Sequence, residues 1–117
     1  MDPTASEAPA LSDNQAESKF EVRVGGELAG FIDYHRRGSQ LINLIHTEVG
    51  ETFQGMGLAG KLARFALDAA RREHLEVLPS CEYIRGWIGK HPEYLDLVPE
   101  KRRADFGLPA GTHEPGY

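Results

Sequence analysis

The sequence predicts one domain of the α+β class, a mixed α/β architecture: an antiparallel three-strand meander, then a helix, a parallel strand and a C-terminal helix. Apolar and polar residues alternate along much of 20–49, which is typical of half-buried strands. Residues 58–73 change to a helical period, and a short apolar segment at 76–78 precedes a second helical pattern at 82–90. A chain of 117 residues is expected to form a single domain.

Glycine turns separate the strands of the meander. The first strand is predicted at 20–24, where Phe-Glu-Val-Arg-Val alternates without interruption. The Gly25-Gly26 pair that follows suits the positive φ angles of a two-residue hairpin. The second strand is predicted at 28–36, and after a further turn the third, at 41–49, is the strongest strand in the chain.

The strand at 41–49 indicates where a site opens. Regular alternation puts one set of side chains on each face. One face carries Leu41, Asn43, Ile45, Thr47 and Val49, and the other carries Ile42, Leu44, His46 and Glu48. Both faces are apolar at the start of the strand and polar near its end. This pattern predicts a central strand that is covered on both sides and whose C-terminal end opens into a site.

The second half of the domain is predicted to contain a crossover. In the helix at 58–73 an apolar stripe recurs at i, i+4, i+7 and i+11, formed by Leu58, Leu62, Phe65 and Ala69. The strand at 76–78 ends at Pro79, and a strand–helix–strand unit of this kind is right-handed with its two strands parallel.

The two ends of the chain differ in composition from the middle. Residues 1–18 contain four acidic side chains and no basic one, and with so little apolar content they are predicted to be a disordered acidic tail. Residues 101–117 end in a stretch rich in Pro and Gly and are predicted to be a loose C-terminal tail. The working domain is therefore assigned to residues 19–100.

Charge and composition argue against several classes of function. The net charge of −5 disfavours a nucleic-acid partner, because such binding depends on neutralising phosphates. No apolar run is long enough to span a membrane, and the first residues do not have the pattern of a secretory signal, so no membrane partner is expected. The single cysteine, Cys81, favours a reducing, cytoplasmic location. The oligomeric state does not follow from the sequence.

A glycine-rich loop, QGMGLAG at residues 54–60, joins the strongest strand to the strongest helix. The first N–H groups of a helix have no partner within it, and glycines let a ligand approach the backbone, so such a loop can bind an anion. A plain turn without a ligand is the alternative. A dinucleotide site is disfavoured although Gly55, Gly57 and Gly60 spell G-x-G-x-x-G, because a meander precedes the loop. A P-loop is excluded, since no G-K-[ST] follows.

The loop and its surroundings resemble the GNAT superfamily of N-acetyltransferases. Gln54, Gly57 and Ala59 match, in order, the Q/R-x-x-G-x-G/A pattern of the pyrophosphate loop in that superfamily. The resemblance covers about residues 20–98. Together with the segments HTEV at 46–49 and HPEYLDLV at 91–98, it is most similar to the short, single-domain GNAT-like subfamily. A minimal GNAT fold is therefore expected.

The resemblance implies acetyl-CoA as the cofactor, bound where the strands at 41–49 and 76–78 separate. The pantetheine amides are expected to pair with the backbone near Thr47, Glu48 and Val49. The pyrophosphate is expected on the loop and the helix start, formed by Gln54, Gly55, Met56, Gly57, Leu58 and Ala59.

The resemblance also implies direct attack of a neutral amine on the thioester, which needs a base, an oxyanion donor and an acid. The backbone N–H near Val49 is the expected oxyanion donor. Glu48 is the candidate base, with a solvent-facing strand-end carboxylate as the alternative, and His46 either assists it or has only a structural role. Cys81 could protonate the leaving thiolate, accept an acetyl group, or be a small buried hydrophobe. Tyr83 is a second candidate acid.

Two further expectations concern metals and the acceptor. His46-Thr47-Glu48 with Pro79-Ser80-Cys81 only partly matches the H-x-E…P-C-x-x-C pattern of zinc deaminases, because the second cysteine is absent, and no metal is expected. The acceptor is a small-molecule or protein amine. Larger GNAT members place helices between their first strands, where this sequence has only a tight turn, so a non-catalytic CoA-binding or protein-interaction module is the alternative function.

Overall fold

The computed structural model describes residues 8–109, and within them one five-stranded sheet packs with two α-helices. The strands are β1 (Ala10–Asn14), β2 (Lys19–Val24), β3 (Glu27–Arg37), β4 (Leu41–Val49) and β5 (Glu76–Pro79). The helices are α1 (Leu58–Arg72) and α2 (Glu82–Lys90), with 3-10 segments at Glu51–Phe53, Pro92–Leu97 and Glu100–Phe106. The strand order is β1-β2-β3-β4-β5, antiparallel except for the parallel β4–β5 pair. The predicted fold class is confirmed.

Strand β1 corrects the expectation that residues 1–18 are disordered. Ala10–Asn14 pairs antiparallel with β2 and adds a fourth strand to the predicted three-strand meander. The segment contributes one large apolar side chain to the core, Leu11, so a hydropathy pattern does not reveal it. Two other interactions hold β1 in the sheet. The Tyr34 hydroxyl donates a 2.6 Å hydrogen bond to the Asp13 carboxylate, and the backbone of β1 pairs with that of β2. Residues 1–7 of the predicted tail lie outside the described residues.

The Tyr34–Asp13 contact makes the stability of the fold sensitive to alkaline pH. Burial, and then the hydrogen bond and charge of Asp13, raise the pKa of Tyr34 to about 12. The folded state therefore holds this proton more tightly than the unfolded state. Its contribution is complete below pH 10 and is lost as the pH rises towards 12, by about 2–3 kcal/mol in all.

We expect Tyr34→Phe to remove that part of the alkaline loss. Urea unfolding of both proteins, measured at intervals from pH 8 to pH 11.5, gives the free energy of unfolding at each pH. The parent should lose more stability than the variant above pH 10. Parallel profiles would show that Tyr34 ionisation does not control the alkaline transition.

The segment after α2 corrects the expectation of a loose tail at 101–117. The 3-10 turn Glu100–Phe106 is followed by Leu108, which is buried in the core. Arg103 is buried as well, and its Nε donates to the Val98 carbonyl over 3.0 Å. A charged residue such as Arg103 is normally expected to be exposed to solvent, although here its side chain stabilises the turn. Residues 110–117 lie outside the described part of the chain.

Both helices contribute to one core on one side of the sheet. Helix α1 contributes an apolar stripe to this core that includes Leu58, Leu62 and Ala66. Helix α2 contributes Ile84 and Ile88. The helices meet where the Arg64 guanidinium lies 5.3 Å from the centre of the Trp87 ring. Because α1 begins directly after the glycine loop, this packing fixes the loop against the end of β4. No described helix has the length and hydropathy of a membrane span.

Candidate active site

A β-bulge in β4 decides which side chains reach the site. Asp33 of β3 pairs with His46, but the next residue, Tyr34, pairs with Leu44, so Ile45 is an extra residue in β4. An extra residue reverses the alternation beyond it. Thr47 and Val49 therefore lie on the same face as Leu44, towards the helices, while Ile45 is 46% exposed.

The bulge corrects the faces expected from regular alternation. His46 and Glu48 do not share a face with Ile42 and Leu44, and Val49 packs against the core. His46 and Glu48 instead lie on the side of the sheet that faces away from α1 and α2. We call this side, defined by Leu28, Phe31, His46 and Glu48, the open face. The His46 and Glu48 side chains are exposed on this side, so the C-terminal end of β4 is open there.

The parallel strands separate at the level of the bulge. The ladder between β4 and β5 runs from Leu41–Glu76 to Leu44–Pro79 and stops there. The Cys81 backbone N–H still donates to the Leu44 carbonyl at 2.9 Å. Beyond it, the Thr47 Oγ1 and Cys81 Sγ atoms, 3.3 Å apart, connect the two chain segments through their side chains. The gap therefore begins at the point where the sequence places the polar end of β4.

The backbone of β4 turns hydrogen-bonding groups of Val49 towards this gap. The Gly50 N–H donates to the Ala29 carbonyl on β3 over 2.8 Å. Hydrogen bonding alternates along an antiparallel strand, so the N–H and carbonyl of Val49 point away from β3. The Gln54 side-chain amide, which donates to the Val49 carbonyl at 2.8 Å, agrees with this orientation. The N–H of Val49 is thus directed to the side where β5 has separated.

The loop before α1 forms a cradle of backbone. Gly55 and Gly57 have φ values of 86° and 72°, a left-handed conformation that favours glycine. A Cβ on either would meet nothing within 4 Å, so the space above them is open. Gly57 is the N-cap residue of α1, and no side chain caps this helix. The first N–H groups of α1 are therefore available to an anion.

A cavity of about 190 Å³ lies beside this cradle. Most of the residues predicted to bind the cofactor line it: Val49, Gln54, Gly55, Gly57, Leu58 and Ala59, together with Phe53, Gly60 and Tyr83. Met56, Thr47 and Glu48 do not line it, and the Met56 side chain is exposed. Open space over two left-handed glycines and uncapped N–H groups fit a pyrophosphate. Phe53 and Gly60 were not predicted, although both adjoin the loop motif.

The candidate catalytic side chains lie on opposite sides of β4. On the open face, His46 Nε2 is 3.2 Å from Glu48 Oε1, and both side chains are exposed. On the helix side, Cys81 is buried against Thr47. Tyr83 reaches the loop cavity from the first turn of α2. Burial, and then the nearby charge of the Cys81 thiolate form, raise the pKa of the Tyr83 hydroxyl, so at neutral pH it is protonated and can donate.

Leu28 and Phe31 flank Glu48 on the open face and were not predicted as site residues. A signal was present in Gly30, a glycine inside a strand pattern, which often marks a bulge or a close backbone approach. A Cβ at Gly30 would lie 2.7 Å from the Glu48 carbonyl oxygen. The neighbouring register shift, where Val22 pairs with Gly30 and Arg23 with Leu28, turns Leu28 to the same face as Phe31.

The side chains of the described residues were also compared with the requirements of a metal site. No three or more His, Cys, Asp or Glu side chains between residues 8 and 109 are grouped so that they could hold a metal ion. His46, Glu48 and Cys81 do not form the zinc site considered from the sequence, because the bulge puts the first two on the opposite side of β4 from Cys81.

Comparison with known proteins shows a family model and several relatives that match most of this chain. A family model described as GCN5-related N-acetyl-transferase matches residues 19–97. Protein NATD1 of Xenopus tropicalis is 31% identical over 101 residues, which cover 84% of this chain and 91% of that protein. The Homo sapiens protein NATD1 is 33% identical over 83 residues, 68% of this chain and 74% of that protein.

Among solved structures, Ard1 from Thermoplasma volcanium is similar over 54% of this chain and 43% of its own, with 25% sequence identity and a TM-score of 0.47.

Proposed function

The chain belongs to the GCN5-related N-acetyltransferase family, and we propose that it transfers the acetyl group of acetyl-CoA to an amine. The observation that carries this proposal is the backbone cradle at the start of α1, placed beside the gap between β4 and β5. Acetyl-CoA, when bound, supplies an acetyl group activated as a thioester. The N–H groups of Leu58 and Ala59, with the open backbone at Gly55 and Gly57, would hold its pyrophosphate.

The free backbone groups of β4 would position the remainder of the donor. The backbone groups of Thr47 and the N–H of Val49 are directed into the gap, so they can pair with the pantetheine amides in the manner of an added strand. The Val49 N–H is a donor to the carbonyl oxygen on which negative charge develops. The Gln54 side chain already occupies the Val49 carbonyl, which holds the loop close to the end of the strand.

Glu48 is proposed as the base that prepares the amine, with His46 as its hydrogen-bonded neighbour. The amine nitrogen bonds to the acetyl carbonyl carbon as the C–S bond breaks, and the electron pair leaves on sulfur as a thiolate. The nitrogen loses two protons overall, one released to water through Glu48 and one balanced by protonation of the thiolate. Tyr83 is the proposed acid, since its hydroxyl is protonated at neutral pH and reaches the loop cavity.

Cys81 is proposed to hold the gap open rather than to accept the acetyl group. Its thiol is buried and contacts the Thr47 hydroxyl, which is not a base that could activate it for nucleophilic attack. Acetyl transfer to Cys81 Sγ would appear as a mass increase of the protein after incubation with acetyl-CoA alone.

Thermal unfolding with acetyl-CoA, CoA, NAD and ATP in parallel tests the donor site. A ligand at one hundred times its dissociation constant stabilises the folded state by about 2.7 kcal/mol, a rise in Tm of roughly ten degrees for a domain of this size. We expect that rise with acetyl-CoA and CoA only. No rise with either at millimolar concentration would refute the donor site.

Release of CoA in the presence of amines then separates an enzyme from a binding module. We expect release that depends on the amine and that exceeds the rate of a Glu48→Gln, Tyr83→Phe double variant. Binding of acetyl-CoA without turnover across a broad panel of amines would favour the non-catalytic module instead. A cytoplasmic location stays a prediction from the sequence.

A further inference from the structure

Strand β1 forms one edge of the sheet within residues 8–109. Just before β2, the Ser18 carbonyl accepts a 3.0 Å hydrogen bond from the Tyr34 N–H on β3. Hydrogen bonding alternates along an antiparallel strand, so Glu21 turns its backbone groups to its other neighbour, β1, where it pairs with Ser12. The same alternation within β1 directs the backbone groups of the residues on either side of Ser12 away from β2.

Leu11 and Asp13 therefore present two N–H donors and two carbonyl acceptors on the outer side of β1. Edge strands are often protected from further pairing by bulges, lysines or prolines. Strand β1 pairs with β2 without a bulge and contains no lysine, and the nearest proline, Pro9, precedes its first residue. This edge is thus open to an added strand.

A largely apolar groove runs beside this edge on the helix side of the sheet. It is lined by Pro9 and Leu11 and, on α1, by Lys61, Arg64, Phe65 and Asp68. Leu11 and Phe65 are only partly buried against the core. Every second side chain of a strand added to β1 would lie on this side of the sheet, where it would cover both of them.

The charges along the groove are complementary to those of a second copy of the chain. Helix α1 runs in the same direction as β1, because each runs opposite to β4. Lys61 therefore lies near the level at which β1 begins, and Asp13 and Asp68 lie towards its end. Lys61 is exposed and forms no ion pair among residues 8–109. A two-fold axis makes the second β1 antiparallel and brings its acidic end to Lys61.

We propose that two copies of this chain associate through their β1 strands, antiparallel about a two-fold axis, and join their five-stranded sheets into one. Leu11 and Asp13 of each copy would exchange backbone hydrogen bonds with the other, and Lys61 would face the partner's Asp13. The proposal does not depend on the proposed function. Strand β1 precedes residues 19–97, which the family model matches, and the gap beyond β4 and β5 lies at the opposite edge of the sheet.

Sedimentation equilibrium tests the association. The mass of the protein is measured from micromolar to millimolar concentration, at low and at high NaCl. We expect a monomer–dimer equilibrium whose dissociation constant rises with NaCl, because the contact includes exposed charges. A monomer mass at every concentration would overturn the inference.

Leu11→Pro removes an outward N–H and leaves the bonds between β1 and β2 in place. Proline is tolerated on an edge strand where its missing N–H would face solvent. Leu11→Ala is the matched control, since it shortens the same side chain and keeps the N–H. We expect the dissociation constant of the dimer to rise at least about 100-fold for the proline variant and no more than about ten-fold for the alanine variant. Equal effects would contradict pairing through the backbone. Both variants should keep the response to CoA.

Amide hydrogen exchange identifies the surface through which the dimer forms. We expect the N–H groups of Leu11 and Asp13 to be protected in the dimer and to exchange rapidly on dilution to the monomer, while the Ser12 N–H is protected in both. A dimer in which Leu11 and Asp13 exchange rapidly would place the contact elsewhere and overturn the inference. Protection of both in a protein that stays monomeric would mean that the same chain covers the edge, which would overturn it as well.

Lys61→Glu tests the antiparallel arrangement. The two-fold axis repeats the contact with the partner's Asp13, so one substitution changes it twice in each dimer. We expect the dissociation constant at low NaCl to rise about ten-fold and to approach that of the parent at high NaCl. Lys90→Glu is the matched control, because Lys90 is exposed at the end of α2 and does not line the groove. Equal increases would show that net charge controls the association, and would contradict this arrangement.

Discussion

Gly57→Glu should abolish the response of the protein to CoA while leaving the domain folded. Gly57 has a φ of 72° and stands at the N-cap of α1 with open space above it. A glutamate there would occupy the proposed phosphate position and repel the pyrophosphate. We expect the rise in Tm with saturating CoA to fall from roughly ten degrees to near zero, which corresponds to a loss of at least about 100-fold in affinity.

Gly38→Glu is the control for this substitution. Gly38 also has a left-handed φ, 61°, and open space around it, but it lies in the turn between β3 and β4. Both variants therefore carry the same strain, of about 1–2 kcal/mol, and the same added charge. Gly38→Glu should lower the Tm of the free protein by a similar amount and retain the full response to CoA. A full response in folded Gly57→Glu would refute the placement of the pyrophosphate.

Glu48→Gln should have the largest effect on turnover. The amide keeps the shape of the side chain but cannot accept the proton of the ammonium, and loss of a general base costs about 10²- to 10⁴-fold in rate. We expect kcat to fall by that factor with CoA binding unchanged. Activity should recover as the pH approaches the pKa of the amine acceptor, because the free amine then no longer needs the base.

Glu51→Gln provides the matched comparison. Glu51 is exposed and begins the 3-10 turn just after β4, so its substitution removes the same charge close to the same strand. It should leave kcat within about two-fold of the parent. Equal losses in the two variants would mean that the local electrostatic potential, and not proton transfer to Glu48, limits the rate.

The periods in the sequence were sufficient to predict most of the elements. The bounds of β4 and α2 are as predicted, and α1 ends one residue earlier than expected. Strand β1 could not be predicted in this way, because its stability comes from the β2 ladder and from Asp13 rather than from an apolar face. The turn around Arg103 was missed for a similar reason, since a charged side chain gives no sign of its burial.

The site was predicted in part. Backbone-driven features follow from glycine spacing, so the cradle at Gly55 and Gly57 was found. The faces of β4 were not predicted correctly beyond Leu44. A bulge arises from the pairing of two strands, and the sequence of one strand has no regular pattern that reveals it. Glu48 was identified as a candidate base from its position near the strand end, yet its neighbours on the open face, Leu28 and Phe31, depend on two register shifts in the sheet.

The bulge at Ile45 also has a consequence for the order of events in a catalytic cycle. It directs the side chains of Val49 and Thr47 to one face of β4 and that of Glu48 to the other, so under the proposed function the donor and the acceptor would approach from opposite sides of this strand. Neither ligand then blocks the path of the other. We therefore expect that either ligand can bind first and that both must be bound together. Initial velocities measured at several fixed concentrations of each should give intersecting rather than parallel double-reciprocal lines.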